Sequence, residues 1–282
     1  MTDERDEFSF LPDDARDVGR TDPLPEVRRV EVDAGDGRVS ALAWGPSPAR
    51  VVLLHGAALN AHTWDATVLA GGFAALALDL PGHGVRTGEA FTLDGAVASV
   101  VGAVDDLGGR ALVVGLSLGG YVGIEHRARF PGQVVGLVAA SCCTVPASRL
   151  RVAWRIAADR IERLPDNGAA LNQALVRRTL PAAGIEDIGA GGFALTTMTA
   201  ILDEVGRTVP LSALSATDSP VWFVNGRWDH FRFGERAYVA AARSGGARAE
   251  LVVIPGAKHL VSLDRPVAFN RAVLAAHREL DR

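Results

Sequence analysis

The sequence predicts an α/β fold: an eight-stranded, mostly parallel sheet flanked by helices, with a helical cap insertion. Three observations predict it. Continuous apolar runs, the mark of strands covered on both faces, recur along the chain. Stretches with helical spacing of apolar residues separate most of them, which calls for right-handed crossovers between parallel strands. One interval, from 141 to 219, carries helical patterns and no strand signal.

The elements follow in order. Residues 1–26 hold nine acids against three arginines and read as a flexible acidic tail. Within it Phe8, Phe10 and Leu11 form a small apolar group able to dock on the body. "VRRVEVD" (27–33) alternates apolar and polar residues, "AGDG" is turn chemistry, and "RVSALAW" (38–44) resumes the strand pattern, so the pair reads as an antiparallel hairpin. The buried strands follow as "RVVLLHG" (50–56), "FAALALDL" (73–80), "RALVVG" (110–115), "QVVGLVAA" (133–140), "PVWFVNG" (220–226) and "AELVVIPG" (249–256). Helical patterns lie at 62–70, 92–107, 118–130, 235–244 and 266–280, and within the insertion at 149–164, 168–180 and 192–206. A structureless loop of that length is not expected, so the insertion is a helical cap. The core is then 27–144 with 214–282, and the cap is 145–213. The cap falls beyond the C-terminal strand ends, where open α/β sheets bind ligands.

Composition narrows the class. Hydrophobic residues make up 48% and charged residues 22%, ordinary for a globular protein, and the net charge is −4. No basic block interleaved with aromatics appears, which argues against a nucleic-acid partner. Cys142 and Cys143 are adjacent, so no disulfide framework is expected. Metal-ligand spacings and a phosphate-binding glycine loop are absent, so no metal and no cofactor is implied. "MTDERDEFSF" has no basic start followed by an apolar stretch, and no apolar run is long enough to span a membrane. The expectation is a cytoplasmic monomer or homodimer that meets a small-molecule substrate, with no membrane partner.

The chemistry centres on "LVVGLSLGG" (112–120). An apolar strand runs into Gly-x-Ser-x-Gly and a helix follows. A serine on a strand-to-helix turn needs an unusual backbone angle and neighbours without bulk, which Gly115 and Gly119 supply. Ser117 then needs a base, and the base an orienting acid. His259, in "IPGAKHLVSLDRP", follows the last strand, and Asp229, in "FVNGRWDHF", follows the strand before it. Both fall at the same sheet edge as Ser117. Asp264 competes for the acid's role but is better placed to cap the last helix before Pro266. Acyl transfer also needs N–H donors for the oxyanion. The Leu118 amide is one, and Ala57, in "HGAALNAHTW" (55–64), is the other, with His55 as a structural brace of that loop.

These stretches, with "DLPGHG" (79–84), "GRWDH" (226–230) and "GAKH" (256–259), resemble the α/β-hydrolase fold superfamily, in its serine-nucleophile subgroup with a helical cap. The resemblance spans about 27–282. It implies Ser117 as nucleophile, His259 as base, Asp229 as acid, and Ala57 with Leu118 as oxyanion donors. It also implies that Asp79 and His83 belong to a structural loop. Related dehalogenases and epoxide hydrolases carry Asp where this chain has Ser117.

The expected reaction is hydrolysis of a small or medium, mostly apolar ester, thioester or lactone through an acyl-enzyme. A carbon–carbon bond hydrolase or a lyase or cyclising enzyme of a biosynthetic pathway is an alternative with the same triad, and a non-catalytic small-molecule receptor on this scaffold is another. Asn60, His62, Trp154, Met198 and Trp228 are candidate substrate contacts, with Phe193, Phe231 and Phe233 as further wall residues. Arg149, Arg151 and Arg155 open the cap and read as a solvated helix face, or as a site for a substrate carboxylate.

Overall fold

The computed structural model describes residues 8–10, 27–33, 37–44, 50–64, 74–146, 149–180, 185 and 192–280. The eight expected strands are present: β2 (Arg28–Asp33), β3 (Arg38–Trp44), β4 (Val51–Leu54), β5 (Ala75–Leu78), β6 (Ala111–Leu116), β7 (Val134–Ala140), β8 (Val221–Gly226) and β9 (Ala249–Ile254). A short strand, β1 (Phe8–Phe10), joins them, and the sheet order is β1-β9-β8-β7-β6-β4-β5-β3-β2. Pairing is antiparallel from β2 through β3 to β5 and parallel elsewhere.

β1 corrects the reading of 1–26 as a flexible tail for three of its residues. Phe8, Ser9 and Phe10 pair with Leu251, Val252 and Val253. The backbone groups on the outer side of β9 would otherwise meet only water, and an extended segment satisfies them whatever its charge context. The other positions of 1–26, Leu11 included, lie outside the described residues.

Alternation along each strand builds two cores. Val52, Leu54 and Val113 face one side of the sheet, and Val51, Leu53, Leu112 and Val114 face the other. Helices α1 (Leu93–Asp106) and α2 (Leu118–Arg129) cover the first face. α1 turns Val97, Val100 and Val104 inward at helical spacing. Burying each such valine contributes roughly 1.5–3 kcal/mol. The second face is closed by Trp64, Phe269, Val273 and Ala276, with the Trp64 and Phe269 rings 6.0 Å apart.

Between β7 and β8 lie α3 (Arg149–Glu162), α4 (Ala169–Thr179), α5 (Met198–Val205) and α6 (Pro210–Ser215). The pattern at 192–206 yields a helix only from Met198. The residues before it are diverted to the loop after β4, where the Ala194 amide donates to the Ala58 carbonyl at 3.2 Å. Ile201 and Val205 bury α5 in the first core, while Arg155 Nε bridges both Asp203 oxygens at 2.7 and 2.9 Å. α6 packs against α2 and against α7 (Glu235–Ser244). The chain closes with α8 (Val261–Asp264) and α9 (Pro266–Leu280). Of the helix expected at 62–70, Ala61–Trp64 form a 3₁₀ turn and the rest lies outside the described residues.

Packing is close where α2 crosses the sheet. A Cβ on Gly119 would sit 2.1 Å from the Leu54 carbonyl oxygen, against backbone that cannot yield. Gly119→Ala is therefore expected to destabilise the fold by about 3 kcal/mol or more. Gly88→Ala, with nothing within 4 Å of its added methyl, should unfold like the parent in urea. Equal midpoints for the two variants would refute this packing.

Candidate active site

β6 delivers Ser117 to the start of α2 in a backbone conformation that side-chain-bearing residues avoid, φ 51° and ψ −108°. Such a position costs on the order of 1–3 kcal/mol and needs its surroundings to hold it. Three features do. The Ser117 amide donates to the Ala140 carbonyl at the end of β7 (2.7 Å), the Gly119 amide donates to the His55 carbonyl (3.1 Å), and Gly115 lets the helix backbone pass where a Cβ would meet the Gly119 oxygen at 2.2 Å.

The neighbouring strands carry the partners. His259, after β9, places Nε2 3.1 Å from Ser117 Oγ. Its Nδ1 lies 2.9 Å from Asp229 Oδ1, after β8. The Asp229 side chain is fully buried, and the Phe231 amide donates to the same Oδ1 at 2.8 Å. Burial alone would raise this carboxyl, but the hydrogen bond and charge of His259, with the Phe231 amide, hold it below its ordinary value. An ionised Asp229 accepts only, so His259 Nδ1 carries the proton and Nε2 is left to accept from the serine hydroxyl. Asp264 stands apart: it ends α8, and its Oδ2 accepts the Lys258 amide at 2.8 Å, bracing the histidine loop.

The loop after β4 is held by two buried imidazoles and one carboxylate. His55 Nε2 accepts the Leu80 amide at 3.0 Å and its Nδ1 donates to the Gly56 carbonyl at 2.8 Å. His83 Nε2 accepts the Ala58 amide at 3.3 Å and its Nδ1 donates to the Pro81 carbonyl at 2.9 Å. Asp79 accepts the amides of Ala61 (2.8 Å) and Val85 (3.0 Å). Each imidazole must be neutral to donate and accept at once. Burial lowers His55 to about 4, and burial with the neighbouring His55 lowers His83 to about 3. Ala57 lies half-buried in this braced loop, one residue before Ala58 at φ 61°. Leu118 is the first residue of α2, whose amide has no intrahelical acceptor.

The other candidates divide. Trp154, on α3, reaches the site as part of a ring cluster: its centroid lies 5.6 Å from Phe231, which lies 4.8 Å from His259. His230, which the sequence reading passes over, lies 5.1 Å from His259 and 4.3 Å from Phe231, and stacks on Trp154 at 6.1 Å. Its place directly after Asp229 was the available signal.

Asn60 is held against backbone on two sides. Its Nδ2 donates to the Gly192 carbonyl at 2.7 Å and its Oδ1 accepts the His62 amide at 2.9 Å. His62 lines a cleft of about 220 Å³ with Arg29, Ser40, Asp79 and Val85 near the β2–β3 edge. Trp228 is 68% exposed and Phe233 79%, because their loop turns inward at Asp229 and Phe231 instead. Met198 is half-buried at the first turn of α5, and Phe193 packs on the second core. Arg151 and Arg155 pair with Asp203 across α3 and α5, and the Arg149 side chain lies outside the described residues.

Residues 51–272 match the sequence profile of the alpha/beta hydrolase family. The chain belongs to that family. The chain is similar to the esterase Rv0045c of Mycobacterium tuberculosis, 42% identical over 140 residues, 47% of this chain and 45% of that protein. A pimeloyl-[acyl-carrier protein] methyl ester esterase of Edwardsiella ictaluri is 34% identical over 122 residues, 41% of this chain and 45% of that one. The chain thus aligns with about half the length of these relatives. The crystal structure of the Mycobacterium tuberculosis esterase superposes with a TM-score of 0.63 at 26% identity, over 92% of this chain and 93% of that one. Among the described residues of this hydrolase-family chain, no helix is long and apolar enough to cross a membrane, and no group of three or more His, Cys, Asp or Glu side chains is placed to hold a metal ion.

The neutral braces predict a pH dependence. Unfolded, His55 and His83 take up protons near 6.5, whereas folded they do so only near 4 and 3. The unfolded state binds more protons across that window, so stability is full above about pH 6.5 and declines as pH falls toward 4. The loss by pH 4 is on the order of 3 kcal/mol for each histidine. Urea unfolding at several pH values measures it, and His83→Gln should flatten the slope. A stability that stays level from pH 7 to 4 would contradict the neutral assignment.

Proposed function

We propose that this chain is a serine hydrolase that cleaves a small or medium, mostly apolar ester, thioester or lactone through an acyl-enzyme. The observation that carries the reading is the unbroken hydrogen-bonded line from Ser117 Oγ through His259 to Asp229. The named activities of the two relatives, both esterases, support the bond type.

The geometry suits each step. Ser117 Oγ attacks the carbonyl carbon as His259 Nε2 takes its proton. Negative charge gathers on the carbonyl oxygen, where the amides of Leu118 and Ala57 are the proposed donors, each worth about 3–4 kcal/mol in such a site. His259 then gives its proton to the departing alcohol, and water repeats the sequence to free the acid. Asp229, buried and ionised, stabilises the imidazolium formed in between. The segment 145–213, with helices α3 to α5, forms the cap, tied to the oxyanion loop through Asn60 to Gly192 and Ala58 to Ala194.

The ring cluster supports a reading of one half of the substrate. The leaving group must lie beside the histidine that protonates it. Phe231, His230 and Trp154 stand there, so the wall against the alcohol is aromatic. The acyl group lies toward the loop after β4.

Two assays test this. Ser117→Ala should lower kcat/KM on p-nitrophenyl esters at least about a thousandfold, and unchanged turnover would sink the reading. Phe231→Ala should lower kcat/KM roughly tenfold for benzyl esters, with methyl esters of the same acid nearly unaffected. Deacylation, which begins after the alcohol has gone, should keep its rate. Equal losses across the alcohol series would remove Phe231 from the leaving-group side.

A further inference from the structure

We propose that Thr144, just past the end of β7, is a positioning residue that fixes Phe231 against His259 and thereby sets the preference for the alcohol half of the ester. The inference rests on the reading of Phe231 as the leaving-group wall and extends it to a residue outside the ring cluster.

The backbone of Phe231 is bonded on both sides. Its amide donates to Asp229 Oδ1 at 2.8 Å, and its carbonyl accepts the Thr144 hydroxyl at 2.6 Å. The first bond ties the residue to the carboxylate beside His259, the second to the segment leaving β7. The loop meets that segment once more, where the Gly234 amide donates to the Cys143 carbonyl at 2.7 Å. Cys143 and Thr144 thus hold the turn from Phe231 to Gly234 at both its ends. The ring that this backbone carries lies 4.8 Å from His259 and 5.6 Å from Trp154, centroid to centroid.

Thr144 can impose a position because it is itself immobilised. Its carbonyl accepts the hydroxyls of Tyr121 at 2.6 Å and Tyr238 at 2.8 Å, so both lone pairs are used. Tyr121 stands on α2, and its own amide donates to the Ser117 carbonyl at 3.2 Å. Tyr238 stands on α7, fully buried, its ring edge-on to Phe223 with centroids 5.9 Å apart. Two helices on either side of the site therefore pin one carbonyl. The branched Cβ of threonine restricts χ1, so a hydroxyl on this fixed backbone has little freedom of direction. The bonds from Ser117 to His259 and from His259 to Asp229 do not run through the Thr144 side chain. Loss of its hydroxyl therefore falls on the ring rather than on the proton path.

Thr144→Val keeps the shape and removes the donor. Its kcat/KM should fall about tenfold for a benzyl ester and by less than about twofold for the methyl ester of the same acid. Thr144→Ala should show the same split, and Thr144→Ser, which keeps the hydroxyl, should hold the parental ratio. With Phe231 already replaced by alanine, adding Thr144→Val should change the benzyl rate by less than about twofold, because the two act through one contact. A readout independent of turnover is the ring-proton resonances of His259, which the Phe231 ring shifts at this distance. Thr144→Val should move them toward their positions in Phe231→Ala, and Thr144→Ser should leave them in place. A parental benzyl-to-methyl ratio in Thr144→Val, equal losses on both esters, an equal loss in Thr144→Ser, or unmoved resonances would each overturn the proposal. A parent inert on every ester, or a Phe231→Ala that spares benzyl esters, would count against the reading above, and the resonances would then decide whether Thr144 positions the ring.

Discussion

The backbone of Ser117 is the constraint on which the rest depends. At φ 51° and ψ −108° the chain leaves β6 and enters α2 within one residue, which thrusts the hydroxyl out at the end of the sheet. No local preference of serine supports that conformation. It is held because Gly115 and Gly119 let two backbones pass at contact distance, and because the ends of β4 and β7 each supply an acceptor beside the turn. Strain at Ser117 is therefore offset by packing elsewhere, in a sheet buried on both faces.

The same side chains serve opposite ends in the two halves of the site. His55 and His83 are buried, neutral and fully paired with backbone, and they make the loop around Ala57 rigid. His259 is half-buried, with one nitrogen committed to a charged partner and the other facing a hydroxyl. Burial turns the first two into struts. The third is partly exposed and faces a carboxylate on one side and a hydroxyl on the other. Asp79 and Asp229 divide in the same way, one spent on backbone amides and the other on an imidazole.

Most of the fold was legible in the sequence because the sheet is covered on both sides. Its strands are uninterrupted apolar runs, and the helices between them set direction. A parallel sheet gathers the loops that follow its strands at one edge, so Ser117, Asp229 and His259 were marked as neighbours by position alone. What depended on backbone pairing was not legible. Phe8–Phe10 joins β9 through main-chain contacts, and nothing in an acidic segment advertises that. No pattern tells that the Asn60 amide meets the Gly192 carbonyl. In "GRWDHF" every second position looked equally able to reach the site. The turn that buries Asp229 brings His230 and Phe231 to His259 and leaves Trp228 outside, a choice made by geometry over a few residues. Arg155 and Asp203 meet across two helices, which no local rule foresees.

Covalent capture of Ser117 tests the central claim most directly. The chain is incubated with a fluorophosphonate ester, and the adduct is located by peptide mass spectrometry. The account predicts a single phosphonylated residue, Ser117, and labelling slowed by a thousandfold or so when His259 is replaced by alanine. An unlabelled Ser117, an adduct on another residue, or labelling indifferent to His259 would contradict it.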